Sequence, residues 1–66
     1  MEQGIVKWFN IGKGYGFITR DKGTDIFVHS NDIQDESDKY LNEGDRVQFI
    51  AAPSPKGEKA TEVRKV

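Results

Sequence analysis

Short runs of β-branched and aromatic residues alternate along the chain with clusters of glycine, charge and turn formers. This pattern predicts strands, with helix content close to zero. The first run is Gly4 to Asn10, GIVKWFN. Tyr15 to Thr19 and Ile26 to His29 follow, separated by RDKGTD, whose Lys22-Gly23 reads as a tight turn. Val47 to Ala51 sets Val47, Phe49 and Ala51 against Gln48 and Ile50, and Ala60 to Val66 is a last, more polar candidate. Between the third and fourth runs lies an acidic, turn-rich stretch, SNDIQDESDKYLNEG, anchored by Ile33, Tyr40 and Leu41. In it Asn31-Asp32 can cap a single helical turn. Pro53 to Gly57 reads as a mobile, hairpin-like connection. Five short strands with glycine-rich turns predict a small all-β barrel or sandwich, and closure removes the unpaired edges that such a sheet must protect.

Strand side chains alternate between faces, and here that alternation sorts the residues by kind. Tyr15, Phe17 and Thr19 share one face of the second strand, with Gly16 and Ile18 on the other. In the third strand Phe27 and His29 stand opposite Ile26 and Val28. Ile and Val pack without polar atoms, so the aliphatic set is the natural core and the rings face outward together. Gly14 and Gly16 flank Tyr15 and are read as clearing space around its ring. The opposite arrangement, rings inside and aliphatics behind, has general support because most large aromatics are substantially buried. Against it stands His29, which would need a buried hydrogen-bond partner. An exposed aromatic cluster marks a binding surface. The first strand stays open: strict alternation separates Lys7 and Phe9 from Val6 and Trp8, so one pair alone joins the aromatic face unless the strand coils or bulges.

Composition narrows what such a surface can hold. At 66 residues the chain is expected to form a single domain, 1–66, too small for both a core and a deep catalytic pocket. It has no cysteine, no apolar run approaching the ~20 residues of a membrane span, and no basic-then-apolar leader. A soluble, cytoplasmic protein without membrane partners is expected. Ten Lys and Arg against eleven Asp and Glu give a net charge of −1. That balance argues against gripping duplex DNA by phosphate neutralisation, and leaves nucleic acid held by stacking.

KWFN (Lys7 to Asn10), KGYGFI (Lys13 to Ile18) and DIFVH (Asp25 to His29) together resemble the bacterial cold-shock proteins over nearly the whole chain. KGYGFI is similar to that family's first ribonucleoprotein motif and the segment ending in FVH to its second. The resemblance implies a five-stranded antiparallel Greek-key barrel of the oligonucleotide-binding (OB) fold. It implies binding of single-stranded RNA and DNA with little sequence choice and an ATP-independent RNA-chaperone role; the chain itself is expected to be a monomer or weak dimer. Carried to matching positions, the binding face is Lys7, Trp8, Lys13, Tyr15, Phe17, Phe27 and His29, with Phe9 at its margin. The resemblance thereby turns Trp8 toward the ligand.

The chain also departs from the family pattern. Ser30 follows FVH where an aromatic is usual, and Asn31-Asp32 replace small residues. Asp38 stands where the long loop usually offers a Phe, and Gly57-Glu58-Lys59-Ala60 replaces GPQA. Two stacking platforms are therefore missing, Asp32 and Asp38 oppose phosphate, and weaker binding than in full-strip relatives is expected. Tyr40 is an extra ring nearby and a candidate replacement. Lys39, Lys56 and Lys59 are looser phosphate candidates beside Lys7 and Lys13.

Other chemistries find less support. Gly12, Gly14 and Gly16 are spaced GxGxG, with no helix following, so a phosphate loop is not predicted. Asp32, Asp35, Glu36 and Asp38 lack the calcium-loop pattern, and His29 has no second histidine or cysteine for a metal site. No nucleophile accompanies His29, so no enzyme, catalytic residue or cofactor is expected. The non-enzyme alternatives are a barrel whose aromatic face docks a protein, and an engineered or rearranged scaffold with impaired nucleic-acid binding.

Overall fold

The structure, a computed structural model, describes residues 1–34 and 40–66. Five strands account for most of it: β1 (Glu2–Asn10), β2 (Tyr15–Arg20), β3 (Asp25–His29), β4 (Arg46–Ser54) and β5 (Gly57–Lys65). A single 3-10 turn, η1 (Ser30–Asp32), follows β3. A helical turn does form here, but Asn31 and Asp32 lie within it and His29, not they, is its N-cap. The strands close into a barrel in the order β1-β2-β3-β5-β4, which returns β4 beside β1. Four seams are antiparallel, and the β3–β5 seam that closes the barrel is parallel, pairing Phe27 with Lys59 and Val28 with Ala60. No described helix is long and apolar enough to cross a membrane.

The barrel interior holds the aliphatic set. Val6, Ile18, Ile26, Val28, Ile33, Leu41, Val47, Phe49, Ala60 and Val63 are each at most 2% exposed. Phe49 is the only aromatic ring among these buried residues. Full burial of each large side chain contributes roughly 1.5–3 kcal/mol relative to leaving it exposed. Ile33 fastens η1 to the barrel through an isolated bridge to Val63, and the Gln34 N–H donates to the Val63 carbonyl at 2.8 Å.

Two irregularities shape the sheet. In β1 the register slips between Val6 and Trp8: Val6 faces Ile18, but Trp8 already faces Phe17, so Lys7 is an extra residue. In β5 the register slips opposite Gln48 and Ile50, where Glu62 takes a left-handed φ of 49°.

The hairpin-like connection expected at Pro53 to Gly57 is a tight hairpin between β4 and β5. Ser54 pairs with Gly57, only Pro55 and Lys56 lie outside the ladder, and the Ser54 hydroxyl donates to the Gly57 carbonyl. Pro53 is exposed in the last part of β4 and opposes Glu58.

Candidate nucleic-acid interface

Trp8, Tyr15, Phe17 and Phe27 come together on the outer face of β1, β2 and β3, as strand alternation predicts for the last three. Phe17 pairs directly with Phe27 and with Trp8 across its two seams, and Tyr15 pairs with His29. The rings form a closed circuit. Centroid separations are 5.5 Å for Trp8–Phe17, 5.8 Å for Phe17–Phe27, 5.8 Å for Tyr15–Phe27 and 5.9 Å for Trp8–Tyr15. These spacings and their tilted or edge-on planes are those aromatic pairs prefer. Each ring is partly covered by its neighbours and partly open, Trp8 being 37% exposed.

The bulge explains how Trp8 reaches this face. If β1 kept regular pairing through Lys7, a strand with Val6 inside would put Lys7 outside and Trp8 inside. With the bulge, Lys7 and Trp8 are both exposed, and Phe9 turns back to oppose Gly16 and pack against the core. Phe9 is therefore behind the row, without a ring contact to its four members. Gly16 has a different role from the one its place beside Tyr15 suggests. It points into the barrel, and a Cβ there would run into the Trp8 carbonyl oxygen and come within 2.7 Å of the Phe9 Cα. Only glycine lets the bulged strand lie this close to β2. Gly14 serves the preceding turn, where φ is 76° and its N–H donates to the Asn10 carbonyl at 2.8 Å.

His29 ends the row at the start of η1. Its Nδ1 accepts the Asn31 N–H at 3.1 Å, so the neutral ring carries its proton on Nε2. Ser30 is half-buried against the Gly14 turn, its N–H donating to the Gly14 carbonyl. Tyr40 has its ring under the Lys65 ammonium, 5.4 Å from the centroid, and makes no ring contact with the row. Asp35, Glu36, Asp38 and Lys39 lie outside the described residues.

Charges surround the rings, and most are paired. Lys7 Nζ donates to Asp25 at 2.9 Å, and the Thr19 hydroxyl donates to the other carboxylate oxygen at 3.2 Å. The Lys7 hydrogen bond, with its charge and the help of Thr19, outweighs desolvation and holds the Asp25 carboxyl below its usual value. Arg20 reaches Glu2 and Glu58, each at 3.0 Å, joining β1, β2 and β5. Lys59 pairs with Asp32 at 3.6 Å. Among the described residues, Lys13 and Lys56 form no ion pair.

Beside the rings is a groove of 860 Å³, walled by Phe17 and Phe27 on one side and the β4–β5 hairpin on the other. Arg20, Asp25, Lys56, Glu58 and Lys59 line it. The sequence singles out Lys56 and, where Gly57 to Ala60 depart from the family's GPQA, the start of β5, but not Ser54 and Pro55 as part of this wall. Only the parallel β3–β5 seam brings the hairpin there, and no local pattern announces that pairing.

Comparison with known proteins agrees with this architecture. A family model described as the "Cold-shock" DNA-binding domain matches residues 2–66. The chain is 51% identical over 65 residues to the cold shock-like protein CspA of Bordetella pertussis, covering 97% of each. It is 49% identical over 65 residues to the cold shock protein CspC of Bacillus subtilis, covering 98% of each. Among solved structures, Drosophila Unr CSD456 superposes with a TM-score of 0.80 at 21% identity, over 98% of this chain and 26% of that one. That likeness concerns the fold.

Proposed function

The chain belongs to the cold-shock domain family, whose members generally bind single-stranded nucleic acid, and we propose that it binds such strands by stacking bases on its outer ring row. The observation that carries this reading is the closed circuit of Trp8, Tyr15, Phe17 and Phe27 left part-exposed on a sheet whose aliphatic face is sealed. His29 extends the row, Lys7 and Lys13 border it, and Phe9 supports it from behind. An unpaired base loses its stacking partner, and a flat ring restores one at roughly 1–3 kcal/mol per base, with little choice among bases. RNA and DNA bind similarly, since stacking does not read the 2′-hydroxyl.

Affinity lies in the micromolar range and below that of relatives with a full strip, because Ser30 offers no platform where they usually carry a ring. With Lys13 and Lys56 the unpaired cations beside the rings and groove, the salt dependence is shallow, about −0.7 per phosphate contacted. Binding only the open form of an RNA hairpin shifts it toward the unpaired state without ATP, which is an RNA-chaperone activity.

Trp8 fluorescence titration with oligothymidine and oligouridine tests the reading. Quenching by both is expected, together with loss of at least about tenfold in affinity for the double variant Phe17→Ala, Phe27→Ala. A folded double variant that binds as well as the parent overturns the surface assignment.

A further inference from the structure

Resting on the stacking reading, we infer that Asp32 limits affinity by withholding Lys59 from the phosphates of a bound strand. Lys59 is well placed to meet one. It pairs directly with Phe27 across the parallel seam and lines the groove that Phe17 and Phe27 wall. A strand whose base lies on Phe27 carries its backbone past this ammonium. In the free protein, however, Lys59 Nζ lies 3.6 Å from Asp32 Oδ2, with the two side chains 39% and 22% exposed. Asp32 is brought there by η1, which follows the row directly and is anchored by the Ile33–Val63 bridge.

Of the paired cations bordering the rings and groove, Lys59 has the loosest hold. Lys7 lies 2.9 Å from Asp25, and Arg20 lies 3.0 Å from both Glu2 and Glu58. At 3.6 Å this half-buried pair lacks the close contact of the other two and is the most readily exchanged for a phosphate. Asp32 therefore acts as a built-in competitor of modest strength. It sets how many phosphates the strand contacts while the stacking surface is unchanged.

The test is a double-mutant cycle of Asp32→Asn and Lys59→Gln, read by Trp8 quenching with oligothymidine at two ionic strengths. Asp32→Asn is expected to tighten binding roughly two- to fivefold at low salt, the range of a weak ion pair. Its salt slope steepens toward one further phosphate contact, about 0.7. The gain is at least about twofold larger in the parent than in the Lys59→Gln background. Equal gains in both backgrounds mean that Asp32 acts only as a distant negative charge, and overturn the inference. So does an Asp32→Asn variant that binds no better than a binding parent, a result that leaves stacking intact. If neither parent nor variants respond to oligothymidine, the stacking reading falls and the inference falls with it.

Discussion

Phe27 has unlike neighbours on its two sides. Toward β2 and β1 it meets rings: Phe17 across the seam, Tyr15 on the diagonal, and Trp8 beyond them. Toward β5 it meets charge: Lys59 across the seam, with Asp32 behind it and the Arg20–Glu58 pair also lining the groove. The ring side is assembled by consecutive antiparallel strands, where side chains close in sequence become cross-strand partners. The charged side exists only once the barrel closes and brings β5 alongside β3. On the proposed reading, stacking, which is tolerant of sequence, belongs to the locally determined half. The inferred tuning of affinity by Asp32 and Lys59 belongs to the half that depends on long-range pairing.

The contrast between the two faces of β2 is the sharpest place to break this picture. Ile18→Ala removes a fully buried side chain and is expected to cost about 2–5 kcal/mol in denaturant unfolding. Its neighbour Phe17→Ala should instead act mainly on oligonucleotide affinity. Gly16→Ala comes next, at roughly 1–3 kcal/mol of stability, because the new methyl group has to push the bulged strand off β2. It also displaces Trp8, so the fluorescence response to ligand should fall along with the melting temperature. At the bulge in β5, Glu62→Gly is expected to stabilise the fold by about 0.5–1 kcal/mol, relieving a left-handed residue. Thermal unfolding of that variant shows whether the β5 bulge is a source of strain.

The smallest effect concerns the Lys7–Asp25 pair. A carboxyl held below its ordinary value of 3.8 contributes stability above that value and loses the contribution as pH falls through the lower folded one. Around neutrality the pair is therefore fully formed and pH-insensitive. Carboxylate NMR titration should find the Asp25 midpoint below 3.8, and Lys7→Ala should move it upward. A midpoint unchanged by that substitution would show that Lys7 does not hold Asp25 in solution.

These two sides also differ in how far the sequence foretells them. Alternation alone places Ile18, Ile26 and Val28 inside and Tyr15, Phe17 and Phe27 outside, since period two is a local property. It is silent on Trp8, because an extra residue in β1 defeats any counting by twos; the family resemblance supplies that ring. Gly16 stands out in the sequence for the wrong reason, as its close approach to Trp8 is visible only when β1 and β2 are packed. The pairing of Lys59 with Asp32, and the groove wall at Ser54 to Lys59, depend on the parallel seam between residues far apart in the chain. No short-range pattern encodes that seam.

Lys7 stands outside the regular ladder, and this has a genetic consequence. A regular pleat forbids consecutive residues from sharing a face, yet here a cation and an indole adjacent in sequence both face solvent. A one-codon deletion of Lys7 would leave Val6 opposite Ile18 and Trp8 opposite Phe17, so every ring keeps its position while the positive charge is lost. At this point in the gene, charge can be added or removed in a single step without re-threading the barrel.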